Sequence, residues 1–349
     1  MTTVLVVGAT GEMGRRVCRL LRRWTPSVRV LGANRSGRGH PDFPVRRVDV
    51  RDERSLAPAL RDVALVVNAV GPYLYDPGPL LRACVKARAH YADLADDLGY
   101  LAAVAEATSR AGASAAGVAV IPGCSTVPGF VSLLASRWAE RPELASVSAL
   151  LSMGTRNPPS RGLVAGLFTP LGRRAPGGGR WFTKLVRAEI SDGRRLWYGA
   201  WPAPYPKAGA RIGKQRVPVR FYAGFDRLWV TAGLRFAAPF VGRLPLRWIP
   251  TLAGVALPFV RAATVVGTPR GVLLVRAEDA GGAELDRVEV HALANGLDVP
   301  AAPVVWVVQS LLKGGLEEGG LCGVEDVVAP GDAFAWLRDA GYELLEGRS

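Results

Sequence analysis

VLVVGATGEMG, residues 4–14, is a short apolar run closed by three glycines, and RRVCRLLRRW follows it at once. Met13, Val17, Leu20, Leu21 and Trp24 recur at helical spacing, so the segment reads as buried strand, glycine turn and amphipathic helix. Gly8 permits the tight turn. Gly11 leaves room for a pyrophosphate to approach the backbone, and Gly14 lets the helix pack close to the strand. The helix start offers free N–H groups and a partial positive charge to phosphates. The spacing is GxxGxxG, and its place between strand and helix gives it meaning. Gly8, Thr10, Gly11, Glu12, Met13 and Gly14 are the expected cofactor contacts of this turn.

The second strand, VRVLGA at 28–33, says which dinucleotide. An NAD site would place Asp or Glu near its end to take the ribose hydroxyls. Here Asn34, Arg35 and Ser36 stand there, with Arg38 close behind. Arg35 can grip a 2′-phosphate with its fork and Ser36 can donate a hydrogen bond, so NADP(H) is the expected cofactor. A third strand at 45–50 brings Asp49 and Val50 towards the adenine. A fourth, at 63–70, ends in Asn68, Ala69, Val70, Gly71 and Pro72 at the carboxyl edge of the sheet, where open α/β folds bind ligands.

Strand and helix patterns alternate over 1–125, which predicts an α/β fold: an N-terminal doubly wound domain with a mostly parallel sheet. At 349 residues the chain has room for a second, α+β domain. Nothing at the N-terminus reads as a signal peptide. The four cysteines are scattered and the three histidines lie far apart. A reduced cytoplasmic protein with no metal site is the expectation.

The net charge of +14 is uneven. Residues 151–276 hold 21 Lys and Arg against three acids, Glu189, Asp192 and Asp226. Such an asymmetry predicts an anionic partner, with an anionic membrane surface or an acidic carrier protein foremost. Nucleic acid is disfavoured, because no recognition module is present. Within this segment a strand is expected at 145–154, a short helix near 162–172, a basic loop at 173–181 and a hairpin around Asp192-Gly193. Residues 228–266 are apolar but broken by arginines and prolines. Two short amphipathic helices, 229–241 and 249–262, are expected there rather than one spanning helix.

The strings GATGEMG, ANRS, VVNAVGPY, LLRACVKARAHYADL and VIPGCSTVPGFVSLLA, in that order, resemble the saccharopine dehydrogenase-like family. ANGLDVPAAPVVWVVQSLLKGG and GVEDVVAPGDAFAWLRDAGYELLE resemble its closing segment. The likeness covers about 1–135 and the last part of the chain, and is loose in the middle. It implies an NADP-binding Rossmann domain at 1–135 and an α+β substrate domain at 136–300. It also implies a C-terminal helical segment, 301–349, packing back near the first domain, and hydride transfer. The substrate stays open, since the family includes saccharopine reductases, trans-acting enoyl reductases of lipid assembly lines and membrane-associated relatives.

A nicotinamide reductase also needs a positioned acceptor and often a proton donor. Tyr73 follows Gly71-Pro72, Asp93 ends the fifth strand, and Cys124 follows Pro122-Gly123; these are the catalytic candidates. No Tyr-x-x-x-Lys dyad is present, which argues against a short-chain dehydrogenase mechanism. Three readings remain. One is an NADPH-dependent reductase acting on C=C or C=N of a hydrophobic, lipid-like or carrier-bound substrate. Another is a saccharopine-type imine-reducing C–N dehydrogenase on an amino-acid-like substrate. The third is a non-catalytic NADP-binding protein docked on a membrane or partner. An oligomer is compatible with each.

Overall fold

The computed structural model describes residues 1–157, 159–175, 178–205, 209–314, 316 and 319–347. The chain forms two compact units, Met1–Leu133 with Asp298–Ala333, and Leu134–Leu297 with Phe334–Ser349.

The first unit begins β1(Thr3–Val7), α1(Glu12–Trp24), β2(Arg29–Asn34), β3(Val45–Arg47), α2(Glu53–Ala59) and β4(Leu65–Asn68). α3(Gly78–Ala87), β5(His90–Asp93), α4(Leu98–Ala111) and β6(Ala119–Ile121) follow, then a π-helical turn, Thr126–Val131. The strands lie parallel in the order β3-β2-β1-β4-β5-β6. Every residue of β1 and β4 is buried, as parallel strands covered on both faces require. Burying each Val or Leu there contributes about 1.5–3 kcal/mol. α1 turns Val17, Cys18, Leu20 and Leu21 inwards, and the Thr25 hydroxyl closes it on the Leu21 carbonyl at 2.6 Å. Strand order reverses between β1 and β4, which is where such sheets open a ligand crevice.

The second unit begins within α5(Ser132–Ala135) and continues with β7(Ser146–Met153), α6(Arg161–Phe168), β8(Leu185–Glu189) and β9(Arg195–Trp201). β10(Ala210–Ile212) and β11(Gln215–Val217) form a small ribbon. β12(Val219–Phe225), α7(Leu228–Val241), α8(Ile249–Ala263), β13(Gly271–Glu278) and β14(Glu284–Ala292) follow. β8 and β9 form the expected hairpin, with Gly193 at φ +81° in its turn. The expected loop at 173–181 includes 176–177, which lie outside the described residues.

α7 and α8 fall where the sequence places them, and α8 is longer than expected. Short 3₁₀ turns extend α8 at both ends into a helical run, Leu246–Val266, long and apolar enough to cross a membrane by length and composition alone. Pro250 sits in the first turn of α8, where it costs no hydrogen bond, and the helix continues through Pro258. Arg247 and Arg261 lie near the two ends of the run and do not interrupt it.

The 301–349 segment, expected as one helical piece returning to the first domain, is divided. α9(Ala302–Leu312), β15(Gly320–Leu321) and α10(Val324–Val327) belong to the first unit, with β15 pairing in parallel with β6. α11(Pro330–Asp339) leads out of that unit, and β16(Glu343–Glu346) pairs with β14 as an edge strand of the second sheet. The reason is the sequence ELLE, whose backbone completes that edge. The second sheet runs β16-β14-β13-β7-β12-β9-β8 and is antiparallel except for β7 and β12.

Candidate functional site

Register places the carboxyl ends of four strands in a row: Ala33 beside Val7, Val7 beside Asn68, and Asn68 beside Asp93. The glycine turn rises from the middle of this row. Gly8 has φ +83°, a conformation side chains disfavour, and its amide bonds the Ala33 carbonyl at 2.9 Å. A Cβ on Gly14 would overlap the Gly8 carbonyl, so only glycine lets α1 start this close to β1. Gly11 is exposed at the helix start, and no side chain caps α1, which leaves its first amides open to an anion. Thr10 is exposed beside them, while Met13 is half-buried. Glu12 is drawn off by Arg16, whose Nε bonds it at 3.0 Å. Ala69 and Val70 lie against Gly8, with the Ala69 amide held by the Val7 carbonyl at 2.8 Å. Gly71 and Pro72, joined by a cis peptide, are exposed beyond them.

Asn34 works as a scaffold. Its Oδ1 accepts from the Gly37 amide at 2.6 Å and from the Ser36 hydroxyl at 3.1 Å, and its Nδ2 donates to the Arg38 carbonyl at 3.1 Å. The loop so held presents Arg35 exposed at the end of β2. Among the described residues no carboxylate pairs with Arg35, so its guanidinium is available to a 2′-phosphate. Asp49 is engaged locally with the Arg51 amide at 3.0 Å. Val50 is buried in the core, which leaves only its backbone for a ligand.

Two strands away lies a polar cluster whose extent the sequence did not disclose. Asn68 is fully buried, and its Nδ2 lies 2.9–3.1 Å from the hydroxyls of Tyr75, Tyr91 and Tyr100. An amide has two protons, so Tyr91 and Tyr100 receive them while Tyr75 donates to Oδ1 at 3.1 Å. Tyr100 reaches Tyr75 at 3.5 Å, Tyr91 donates to Asp93 at 2.9 Å, and Tyr73 donates to the Asn68 carbonyl at 3.0 Å. Asp93 also accepts from the amides of Ala95 at 2.9 Å and Gly123 at 2.8 Å. Burial pushes its carboxyl up to about 6 against these bonds, which pull the other way. Burial holds the Tyr73 and Tyr91 phenols well above their usual range.

Tyr91 is therefore core and polar network at once. Tyr100 was missed altogether. The available signal was Asp97, which caps α4 by accepting from the Tyr100 amide at 2.8 Å and so aims that residue back at the sheet edge. Cys124 is corrected from catalytic candidate to packed thiol. It is fully buried, donates to the Ile121 carbonyl at 3.3 Å, and burial with Asp93 nearby keeps it protonated. Its neighbour Ser125 has a buried hydroxyl with no hydrogen-bond partner among the described residues. An orphaned polar atom at the end of β6 suits the carboxamide of a nicotinamide. Asp298 was also missed. It is buried and accepts from Arg16 at 2.9 Å and from Arg19, tying the returning chain to α1.

This geometry defines a dinucleotide-binding protein of the doubly wound class. Residues 4–121 match the family described as saccharopine dehydrogenase NADP binding domain. The domain is an NADP-binding domain. The open amides of α1, the close approach at Gly14, Arg35 and the Ser125 hydroxyl fit that cofactor.

Saccharopine dehydrogenase (L-Glu forming) from Saccharomyces cerevisiae shares the fold over 100% of both chains, with TM-score 0.60 and 12% identity. UDP-N-acetylglucosamine 4-epimerase from Bacillus cereus overlaps 35% of this chain and 59% of its own, with TM-score 0.27 and 15% identity. Vestitone reductase from alfalfa (Medicago sativa) overlaps 35% of this chain and 56% of its own, with TM-score 0.27 and 16% identity. No curated protein matches the sequence. An NADP-binding domain of this type supports an NADP-dependent oxidoreductase.

Proposed function

We propose that the protein is an NADPH-dependent reductase that saturates a C=C or C=N bond of a hydrophobic, lipid-like or carrier-bound substrate. The observation that carries it is Asp93, a buried carboxyl pushed up to about 6 and joined through Tyr91 to the other hydroxyls at the sheet edge. Bound NADPH supplies the hydride. A reduction also consumes one proton, and the chain's own residues supply a route for it. Protonated Asp93 can donate to Tyr91, Tyr91 to Tyr100 at 3.3 Å and Tyr100 to the half-buried Tyr75 at 3.5 Å, while Tyr75 gives its own phenol proton to the substrate; each hydroxyl keeps one proton and Asp93 ends ionised. The hydrophobic substrate class is supported by the exposed apolar surface of α7 and α8.

The test is NADPH oxidation with a long-chain enoyl thioester and with a small amino-acid-derived imine. The thioester should turn over, with a rate that falls as pH rises through about 6, and Asp93→Asn should remove that limb. Turnover of the imine alone would install the amino-acid reading. NADPH binding with neither substrate consumed would favour the non-catalytic one.

A further inference from the structure

α7 and α8 are amphipathic in a sense opposite to that of ordinary surface helices, because their solvent faces are apolar. On α7, Trp229, Phe236 and Phe240 recur at i, i+7 and i+11. Around α8, Trp248, Val255, Phe259 and Val266 recur at i, i+7, i+11 and i+18. At 100° per residue each set falls on one stripe. Phe236, Phe240 and Phe259 are 68%, 73% and 74% exposed. The inward faces carry Thr231, Ala238 and Val241 on α7, and Ile249 and Ala253 on α8. Arg235, Arg243, Arg247 and Arg261 are exposed on or beside these helices, and the sequence holds no acid between Asp226 and Glu278.

From these stripes and their flanking arginines we infer that α7 and α8 form a docking surface for an anionic lipid bilayer. The aromatic and aliphatic side chains enter the acyl boundary, and the arginines extend their stems to reach lipid phosphates. Charge selects the occupant. A second copy would bring two arginine-rich faces together, whereas an acidic headgroup layer neutralises one. An acidic protein would meet the arginines but would leave apolar stripes along both helices to be covered.

The helices lie in the plane of the surface rather than across it. The Leu246–Val266 run is held near both ends: Arg161 Nε bonds the Pro250 carbonyl at 3.0 Å, and Arg227 Nε bonds the Val266 carbonyl at 3.1 Å. Just beyond, Asp226 accepts from the amide and hydroxyl of Thr268, both at 2.8 Å, and from Thr155. α8 also packs along α6.

Co-sedimentation of the full chain with vesicles of phosphatidylcholine, alone or mixed with phosphatidylglycerol, tests the inference. The protein should bind the mixed vesicles at least about tenfold more tightly, and salt should weaken that binding. Fluorescence of Trp229 and Trp248 should shift to the blue. Each of Arg243→Gln, Arg247→Gln and Arg261→Gln should weaken binding by about fivefold. The combined Phe236→Ser, Phe240→Ser and Phe259→Ser variant should lose the part that survives high salt. All variants should keep NADPH affinity, so the outcome does not depend on the proposed activity. Equal binding to both vesicle types, or binding to neither, overturns the inference. So does a stable dimer that the Phe changes dissolve, capture by an acidic carrier protein instead of vesicles, or resistance to alkaline extraction as a spanning helix would show.

Discussion

At the carboxyl edge of the first sheet, Asn68 and Asp93 are buried and the tyrosine hydroxyls around them all have partners. On α7 and α8 the arrangement is reversed, with Phe236, Phe240 and Phe259 facing solvent and arginines beside them. Among the described residues the first region leaves open the Ser125 hydroxyl and the first amides of α1. Those gaps are the size of a small ligand's polar groups. The second leaves whole faces without cover, and only an extended surface would fill them. A small molecule suits the sheet edge, and an extended surface suits the helices.

The largest effect expected from breaking the first region is at Gly14. Gly14→Val places a side chain on the Gly8 carbonyl and should cost about 4 kcal/mol or more, since backbone must move. Gly11→Val differs, because a Cβ there meets only the Gly8 carbonyl oxygen at 3.2 Å. Its melting temperature should stay near that of wild type while NADPH binding disappears, as the methyls occupy the pyrophosphate's approach. Thermal unfolding and nucleotide titration of both variants separate the two roles. A folded Gly11→Val that binds NADPH normally would place the phosphates elsewhere.

Asp93 gives the next effect. Its carboxyl stands at about 6 in the folded chain against an ordinary 3.8, so the folded state holds this proton more tightly than the unfolded one. The stability it contributes is full below about pH 4 and is lost as pH rises through about 6, a span of about 3 kcal/mol. Asp93→Asn keeps an acceptor for the Ala95 and Gly123 amides and carries no charge. Urea unfolding from pH 4 to 7 should show a falling stability for wild type, with that component absent in Asp93→Asn. Parallel curves for the two proteins would show that Asp93 does not titrate in this range.

The first sheet was legible because β1, β2 and β4 are apolar runs cut by glycines or ended by polar residues, and that pattern is local. The α7 and α8 boundaries were legible for the same reason. What escaped was set by register and by chain return. Nothing local says that Tyr75, Tyr91 and Tyr100 converge on Asn68, because β4, β5, α4 and a loop bring them there. Cys124 stood as a candidate because it follows Pro122-Gly123, yet the fold buries it completely, just ahead of the π-helical turn. The prolines and arginines at 246–266 suggested breaks, but the helix accommodates Pro250 in its first turn. The ELLE strand at the C-terminus needed the β14 edge to exist before it could form.

Binding of NADP(H) through the glycine turn and Arg35 is what the proposed reductase requires first. Fluorescence titration of wild type and Arg35→Ala with NADPH and NADH tests it most directly. Wild type should prefer NADPH, and Arg35→Ala should lose about 1.5–3 kcal/mol for NADPH, roughly 10- to 150-fold, with NADH little changed. Equal affinity of wild type for both nucleotides, or an equal loss for both in Arg35→Ala, would contradict it.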